Sequence, residues 1–300
     1  MSQKDKTILL IDGMNKLHAS FHAYKRLSWK GESVSIIYGM PSIVSGLIFR
    51  FRPNEVMVVW DGKRSAIRES LLPGYKGDRH SDRMIDWENF ELQKKEVRNI
   101  FHALGIKQIL NKEAEADDMI YKMTQMALEK GYNRVIIVSS DKDFNQLLTD
   151  ERVWVWNDSK NDVIHLENCK KYFGYSPAQT VDYLSLLGDK SDHIPGYPGI
   201  GKKKGPEFLK AHKSIAKFLK SEATYPGIDR KKLKEIYVRN SMLINLRVFY
   251  NANKEYLKTI FYKESNPKYD FKAFKLICQK YGLSRFMQEE FTKHFKSLSK

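Results

Sequence analysis

Acidic side chains recur in short and widely separated segments of this sequence. Asp12 and Asp61 each follow an apolar run, and acids concentrate again at 113–118, 141–143 and 189–192. Carboxylates that lack neighbouring His or Cys are hard oxygen ligands, which suit Mg²⁺ or Mn²⁺. Two such ions can activate a water and stabilise the leaving oxygen when a phosphodiester is cleaved. The acids therefore indicate a divalent-metal site.

Each acidic group also has an ordinary structural explanation. The 113–118 segment opens a helical stretch at Met119–Lys130, and acids in a first turn are favoured by the helix dipole. Four acids in six residues exceed that need and repel one another without a cation, and Glu115 and Asp118 are spaced to share a helix face. The acids of 189–192 stand in a turn-rich segment, where capping of turns is an equally good explanation. Only the joint occurrence of the groups favours a metal site.

Apolar runs that end in acids predict how these segments meet. The runs and the acids that follow them are Thr7–Ile11 with Asp12, Glu55–Trp60 with Asp61, and Arg134–Val138 with Asp141. Continuous apolar runs predict strands that are buried on both faces of a parallel sheet, and a fourth is predicted at Val153–Trp156. Helical stretches at 87–104 and 119–130 alternate with the strands, which predicts an α/β fold. Sites in such sheets lie beyond the carboxyl ends of the strands.

The second part of the chain has a different pattern. From Ser176 onward the strand-like runs fade and helical segments dominate, so we predict an α/β domain at 1–175 and a smaller helical lobe at 176–300. Residues 62–83 form a long basic connection between a strand and a helix, a feature that is usually functional or disordered in a compact domain. The net charge of +16 favours a polyanionic partner such as nucleic acid.

A glycine- and lysine-rich segment at Gly196–Gly205 precedes an apolar helix. Its tight turns expose backbone N–H groups, and three lysines follow the second turn. Such a loop can bind a phosphate without reading base sequence, although a plain connecting loop with solvated lysines would have a similar composition. The Gly-Ile-Gly-Lys spacing favours phosphate binding.

Several other functional classes are disfavoured. The eight histidines are scattered, and the sequence has neither a phosphate-binding P-loop motif nor a Gly-x-Ser-x-Gly elbow. Cys169 and Cys278 are expected to be buried apolar side chains, not zinc ligands or a disulfide framework. No apolar run reaches the ~18 residues of a membrane span, and the first run is too short for a signal peptide. We expect a cytoplasmic protein.

In combination these segments resemble the structure-specific 5′-nucleases, namely the bacteriophage flap endonucleases and the 5′-nuclease domain of bacterial DNA polymerase I. The resemblance covers residues 7–209 and is carried by ordered motifs: Ile11-Asp-Gly-Met-Asn15, Trp60-Asp-Gly-Lys63, Tyr75-Lys-Gly-Asp-Arg79, Glu115-Ala-Asp-Asp118, Ser140-Asp-Lys-Asp143 and Gly188-Asp-Lys-Ser-Asp-His-Ile-Pro-Gly196. It implies a PIN-like, mostly parallel sheet flanked by helices, a helical arch at about 62–105, and a helix–hairpin–helix element at about 188–210.

The resemblance also implies roles for individual residues. It assigns Lys76 and Arg79 to the scissile phosphate, where they would stabilise developing negative charge. The metal ligands that it implies, direct or through water, are Asp12, Asp61, Glu115, Asp117, Asp118, Asp141, Asp143, Asp189 and Asp192. The residues that it assigns to DNA are Tyr75, Gly196, Gly199, Gly201, Lys202, Lys203 and Lys204.

The implied cofactors are two Mg²⁺ ions, for which Mn²⁺ can substitute, and a K⁺ ion at the hairpin. The implied substrate is DNA with a 5′ flap, a nick or an overhang, or an RNA–DNA hybrid, cut by a monomer in a bacterial or phage-infected cell. Since the sequence stops at residue 300, we expect a free-standing nuclease of the phage type.

Two departures from the family pattern affect these expectations. His193 stands where the family usually has Asn, which is expected to alter a turn but to spare both neighbouring acids. Pro206 falls early in the helix after the hairpin, and because proline lacks an N–H and crowds an earlier carbonyl, that helix is expected to start late or to kink.

Two alternatives remain at this point. A PIN-like endoribonuclease also gathers carboxylates on a parallel sheet, but it would not need the 196–205 hairpin. A non-catalytic DNA-junction binder would have no use for a full set of acids, because carboxylates near DNA weaken binding unless a metal is present.

Overall fold

The computed structural model of the protein describes residues 6–77, 85–257, 267–296 and 298. The strands of these residues are β1 (Thr7–Asp12), β2 (Ser28–Trp29), β3 (Glu32–Ser33), β4 (Glu55–Trp60), β5 (Lys107–Leu110), β6 (Arg134–Val138), β7 (Val153–Asn157), β8 (Asp162–Ile164), β9 (Gly188–Asp189) and β10 (Ile194–Pro195). The four strands predicted from apolar runs are confirmed as β1, β4, β6 and β7. The short strands β5 and β8 were not predicted.

The helices alternate with these strands and then dominate the second half of the chain. They are α1 (Gly13–Ala23), α2 (Ser35–Phe51), α3 (Ala66–Leu71), α4 (Trp87–Ala103), α5 (Ala116–Glu129), α6 (Cys169–Phe173), α7 (Thr180–Leu187), α8 (Lys204–His212), α9 (Ile215–Lys220), α10 (Arg230–Ile244), α11 (Leu246–Ala252), α12 (Lys254–Leu257), α13 (Phe271–Lys280) and α14 (Glu289–Lys296). Short 3₁₀ helices cover Lys142–Thr149, Pro177–Gln179 and Ser284–Met287. Among the described residues, no helix is both long and apolar enough to cross a membrane.

The main sheet has six strands in the order β5-β4-β1-β6-β7-β8. All neighbours in it run parallel except β7 and β8, which are antiparallel. The chain builds outward from β1 on one side through β4 and β5, and then continues on the other side with β6. This reversal of strand order between β1 and β6 leaves a crevice at their carboxyl ends, where α/β proteins place their sites.

Both faces of the sheet are covered, which explains why its strands are continuously apolar. Leu9 and Ile11 of β1 face a cluster formed with α1, α2 and α4. Ile8 and Leu10, which point the other way, pack beneath α5 and α11. Alternate residues of β1 thus contribute to two separate hydrophobic cores, one on each face of the sheet. Cys169 and Cys278 are both buried, as expected.

The last helices return to the α/β unit. Phe274 of α13 and Phe295 of α14 are buried in the same cluster as Leu9, and the backbone of Asp270 donates to the carbonyl of Ala103 at the end of α4. Residues 267–296 of the predicted lobe of 176–300 therefore pack against the first unit. The apolar face of α13 packs against that of α4, and no local sequence pattern predicts this tertiary contact.

The remaining helices of the second half form a separate small core. Leu186, Phe208, Phe218 and Leu233 are buried together in it, contributed by α7, α8, α9 and α10 in turn. This helical lobe carries the segment from β10 to the start of α8 that was predicted to bind phosphate.

The predicted arch at 62–105 is described at its two ends. Helix α3 and the turn to Gly77 form one end, and α4 forms the other, with residues 78–84 between them outside the described residues. Arg79 therefore lies outside them too. Phe90, Val97 and Phe101 of α4 are buried against α2, so this part of the segment belongs to the core of the α/β unit.

Candidate active site

Three strand ends carry the first acids of the site. Asp12 ends β1 and caps α1, since its Oδ1 accepts a hydrogen bond of 3.1 Å from the backbone of Asn15. Its Oδ2 accepts one of 2.9 Å from the hydroxyl of Ser139, which in turn accepts one of 3.1 Å from the backbone of Asp141. Ser139 follows β6, so this buried hydroxyl fixes the distance between the acids of two neighbouring strands.

Asp61 links the end of β4 to the start of α5. Its Oδ1 accepts a hydrogen bond of 2.9 Å from the backbone of Ala116. The next residue, Gly62, lies against the loop between β5 and α5. A Cβ on Gly62 would be only 2.0 Å from the carbonyl oxygen of Asn111 in that loop. Only glycine permits this approach, which holds the first turn of α5 against the strand ends.

The first turn of α5 presents acids to both sides. Glu115 occupies the N-cap position and Asp117 lies in the first turn and borders the cavity. Glu115 is buried, and its Oε1 accepts from the backbone of Ser65 at 3.0 Å while its Oε2 accepts from the hydroxyl of Tyr75 at 3.1 Å. Tyr75, which was predicted to contact DNA, is only 2% exposed in the protein.

Asp118 points away from the cavity. Both of its oxygens accept hydrogen bonds from Arg68, at 2.7 and 2.8 Å, and the Arg68 guanidinium also lies 3.4 Å from Glu115. This arrangement differs from the predicted metal ligand, since a carboxylate whose two oxygens face a guanidinium is already neutralised. Asp118 instead holds Arg68 beneath the site.

Lys76 places an ammonium group among the carboxylates. Its Nζ lies 2.6 Å from Glu115 and 3.5 Å from both Asp117 and Asp192. The backbone of Lys76 has a φ of 53°, a left-handed conformation that is costly for a side-chain-bearing residue. Its N–H donates to the carbonyl of Asp192 at 3.1 Å, which holds this conformation in place.

The loop after β6 carries Asp141 and Asp143. Asp141 caps the following 3₁₀ helix, since its Oδ1 accepts from the backbone of Asp143 at 2.9 Å. Within the described part of the chain, Oδ1 of Asp143 is buried and accepts no hydrogen bond. A buried carboxylate oxygen without a donor is costly, and a cation is one partner that would satisfy it.

The acids of 188–196 come from the turn between β9 and β10. Asp189 shapes this turn, because its Oδ1 accepts from the backbone of Ser191 at 2.8 Å. His193 has a φ of 57°, so the histidine adopts the left-handed conformation that Asn tolerates more easily. Both Asp189 and Asp192 border the cavity.

These elements enclose a cavity of about 750 Å³ at the carboxyl ends of the strands. The predicted ligands that line it are Asp12, Asp61, Glu115, Asp117, Asp141, Asp189 and Asp192, together with Lys76. No three acidic, imidazole or thiol groups among the described residues are placed closely enough to hold an ion as they stand. The donor set nevertheless suits a hard divalent cation, and the buried Oδ1 of Asp143 supplies an oxygen that lacks a partner.

Burial and neighbouring carboxylates raise the pKa values of three acids of the site. Burial, assisted by Asp117, raises the pKa of Asp12 to about 7 and that of Asp141 likewise to about 7. Burial and the adjacent Asp141 raise the pKa of Asp143 well above its usual range. The site thus holds more acid than its own cations neutralise, and this is the condition that a divalent ion relieves.

The Lys76 side of the site has the opposite balance. Burial alone would raise the pKa of Glu115, but Lys76 and Arg68 outweigh it and lower the pKa to about 2. Burial alone would lower the pKa of Lys76, but Tyr75 and Glu115 raise it well above its usual value. Lys76 is therefore a permanent cation beside a permanent carboxylate.

The hairpin after β10 projects from the helical lobe. Tyr197 and Ile200 are buried in the lobe, whereas Gly199, Gly201 and Lys202–Lys204 are exposed. Gly196 lies so close to α7 that a Cβ would be 2.3 Å from the carbonyl carbon of Leu187, and Gly199 has a φ of 80°. The glycines shape the turn, and the lysines remain free to meet a phosphate.

The helix after the hairpin is not delayed. It begins at Lys204, with Pro206 in its first turn. The first N–H groups of a helix have no partner within that helix, so a proline is tolerated there. The expectation of a late start was wrong for this reason.

Two models of protein families match the chain. The family model for the 5′-3′ exonuclease N-terminal resolvase-like domain matches residues 7–174, and the model for the 5′-3′ exonuclease C-terminal SAM fold matches residues 175–247. The chain belongs to the 5′-3′ exonuclease family. The prediction of a hydrolytic nuclease of this family, with an α/β unit and a helical lobe, is confirmed.

Individual relatives agree with this membership. A 5′-3′ exonuclease of Buchnera aphidicola subsp. Acyrthosiphon pisum is 31% identical over 269 residues, which are 89% of this chain and 88% of that protein. DNA polymerase I of Bacillus subtilis is 32% identical over 234 residues, which are 77% of this chain and 26% of the polymerase. Bacteriophage T5 D15 flap endonuclease, solved with DNA and metal ions, has a TM-score of 0.68 at 19% identity, with 98% of this chain and 99% of that one covered.

Some residues that build the site of this 5′-3′ exonuclease family member escaped the sequence reasoning. Arg68 stood out only as one of several basic residues in 62–83, and nothing local shows that it pairs with Asp118. Ser139 lies between a predicted strand and Asp141, so its place at a strand end was the one available signal. Gln146 lies in the same loop and contacts the end of α10, 98 positions away.

Proposed function

We propose that the chain is a divalent-metal-dependent, structure-specific 5′-nuclease that hydrolyses DNA phosphodiesters near a junction of single strand and duplex. One observation carries this proposal: seven of the predicted carboxylate ligands, from separated segments, line one cavity with the buried ammonium of Lys76 among them. Acids and a fixed cation in one pocket suit a phosphodiester whose reaction needs both metal ions and a phosphate contact.

The acids would hold two Mg²⁺ ions, for which Mn²⁺ can substitute. The residues best placed to hold them are at the strand ends: Asp12, Asp61 and Asp141 line the cavity, and Asp143 lies beside Asp141. The pKa values of Asp12, Asp141 and Asp143 are raised, and a bound cation would stabilise their ionised forms. When bound, such ions activate a water and neutralise charge on the leaving oxygen. The bacteriophage T5 relative was solved with metal ions, which supports this assignment.

Lys76 would contact the scissile phosphate. Its ammonium is fixed by Glu115 and by a strained backbone, so little reorganisation is needed when negative charge develops on the phosphate. We assign Arg79 to the same phosphate, since it lies three residues further along the segment. Asp118 and Arg68 would support the site from below.

The helical lobe would hold the duplex. Lys202, Lys203 and Lys204 are exposed beside the turn formed by Gly196, Gly199 and Gly201, and the glycine turn offers carbonyl groups for a K⁺ ion. Such contacts fix position on the backbone without reading bases. We propose that the protein acts as a monomer on 5′ flaps, nicks or overhangs, and on RNA–DNA hybrids of the same shape.

End-labelled substrates test this function. We expect cleavage of 5′-flap DNA in Mg²⁺, weaker cleavage of single-stranded DNA, and loss of cleavage in a chelator. The product should carry a 5′-phosphate. A preference for free RNA over every DNA junction, or full activity in chelator, would contradict the proposal.

A further inference from the structure

The junction between α10 and α11 leaves backbone groups that its own helices cannot satisfy. Helix α10 ends at Ile244 and α11 starts at Leu246, so the last carbonyls of one helix and the first N–H groups of the next need other partners. The side chain of Gln146 supplies both kinds. Its Nε2 donates to the carbonyl of Ile244 at 3.0 Å, and its Oε1 accepts from the backbone of Leu246 at 3.0 Å.

The same amide also binds the acid loop. Nε2 of Gln146 donates its second hydrogen to the carbonyl of Asp143 at 2.8 Å. Both N–H bonds and the carbonyl oxygen of the side chain are therefore in use, and the partners fix which end of the amide is nitrogen. A carboxylate or an apolar side chain could not make all three contacts.

Gln146 anchors this loop at Asp143, whereas the hydroxyl of Ser139 anchors it at Asp141. Asp141 and Asp143 share one local hydrogen bond, and Oδ1 of Asp143 is buried without a donor in the described chain. Their positions therefore follow the backbone of the 3₁₀ helix, and Gln146 fixes that backbone at Asp143.

The junction is itself held from the opposite side of the site. Nε of Arg68 donates to the carbonyl of Leu243 at 3.1 Å while its other nitrogens pair with Asp118. Farther up α10, Nδ2 of Asn240 donates to the carbonyl of Pro195 at 3.0 Å, next to the hairpin. The end of α10 is thus held in place and is linked to two acid groups, through Arg68 to Asp118 and through Gln146 to Asp143.

We infer that Gln146 is a positioning residue for the cleavage reaction: by joining the carbonyl of Asp143 to the α10–α11 junction, it sets the Asp141 and Asp143 carboxylates at the spacing that metal binding requires. The inference rests on the proposed metal-dependent function. A residue that only capped two helices would contribute stability and nothing else.

Substitution of Gln146 by Met separates these two roles, because Met has a similar length and no hydrogen-bonding amide. Gln179 offers a matched control, since its Nε2 also donates to two carbonyls, Leu209 at 3.2 Å and Lys213 at 2.9 Å, within the helical lobe. The readouts are Mn²⁺ binding to the DNA-free protein by calorimetry, kcat and KM on 5′-flap DNA, and the midpoint of thermal unfolding.

For Gln146→Met we expect Mn²⁺ binding to be weaker by about tenfold and kcat to fall by at least about tenfold. Losses of this size follow when a residue that orients a metal ligand is removed. KM for DNA should change less than about twofold, because the hairpin is untouched. Gln179→Met should lower the unfolding midpoint by a similar amount and leave Mn²⁺ binding and kcat as in the wild type.

Wild-type Mn²⁺ binding and kcat in Gln146→Met would overturn the inference. If that variant does not fold, Gln146→Glu gives the same test, since it keeps the acceptor for Leu246 and loses both donors at neutral pH. Failure of the wild-type protein to bind Mn²⁺, with cleavage unaffected by chelator, would instead refute the proposed function itself, which is a distinguishable result.

Discussion

Arg68 and Asp118 form a two-pronged ion pair inside the protein, with Nη1 2.8 Å from Oδ2 and Nη2 2.7 Å from Oδ1. Each side chain is 1% exposed, and the guanidinium stacks on the ring of Phe249 at 3.7 Å. A pair this deeply buried is stable only while both partners are present, because a single remaining charge has no water to solvate it.

Loss of one member of this pair should be severe. Arg68→Met is expected to lower the free energy of unfolding by about 3–5 kcal/mol, measured by urea denaturation without metal. The double variant Arg68→Met/Asp118→Leu should recover part of the loss, because no charge stays buried. Arg152→Met, which breaks the half-exposed pair with Asp150, should cost about 1 kcal/mol or less. Equal losses in Arg68→Met and Arg152→Met would show that burial of the Arg68 pair has no special weight.

Lys76 should act on the chemical step more than on DNA binding. Lys76→Met is expected to lower kcat about 10²- to 10³-fold, as loss of one preorganised donor does, with a KM for flap DNA within about threefold of the wild type. Lys280→Met is the control, since Lys280 also pairs with a glutamate, Glu96 at 2.9 Å, but on the surface. Single-turnover cleavage separates the two constants. A raised KM with an unchanged kcat would reassign Lys76 to binding.

The hairpin lysines should act on binding alone. Lys202→Gln/Lys203→Gln is expected to weaken duplex binding and to reduce the slope of log affinity against log salt by about 2, or roughly 0.9 for each phosphate contact. Lys272→Gln/Lys275→Gln, on the exposed side of α13, should leave that slope unchanged. Fluorescence anisotropy over a salt series measures both. An unchanged slope in the hairpin variant would remove this loop from the DNA interface.

Asp182 gives a pH test of the helical lobe. Its carboxylate accepts from the backbone of Ile215 at 3.1 Å, and burial raises the pKa of Asp182 to about 6. A carboxyl whose pKa is higher in the folded than in the unfolded protein stabilises the fold most at low pH, and this contribution is lost as pH rises through about 6.

Asp182→Asn removes that titration and keeps an acceptor for Ile215. Relative to the wild type, the variant should therefore gain about 2 kcal/mol in free energy of unfolding between pH 4.5 and 7.5, at about 1.36 kcal/mol for each pKa unit crossed. Chemical denaturation at both pH values measures this difference. A stability difference that is the same at both would mean that Asp182 titrates normally.

The sequence predicted the part of the site that the sheet imposes. Apolar runs before Asp12, Asp61 and Asp141 indicated parallel strands, and the carboxyl ends of parallel strands meet at one edge. The hairpin glycines were also identified correctly as turn formers, because a left-handed φ and close backbone approach are local requirements.

The pairings across the fold could not be predicted in the same way. Arg68 and Asp118 are 50 positions apart. In the structure Asp118 faces this arginine, whereas Glu115 and Asp117 line the cavity, and no local sequence pattern distinguishes these acids. Tyr75 was assigned to DNA because its motif suggested a contact, whereas the ring is buried against Leu184 and Ile194. Packing of α13 on α4 likewise depends on which apolar faces remain uncovered once the sheet has formed.

Cleavage of 5′-flap DNA by Asp143→Asn tests the central claim most directly. Asp150→Asn is the matched control, seven positions along and paired with Arg152 at the surface. With Mg²⁺ under single-turnover conditions, we expect Asp143→Asn to be slower by about 10³-fold, the scale of a lost metal contribution of several kcal/mol, and Asp150→Asn to match the wild type within about twofold. Wild-type cleavage by Asp143→Asn, or by the unmodified protein in excess chelator, would contradict a metal-dependent site built on these carboxylates.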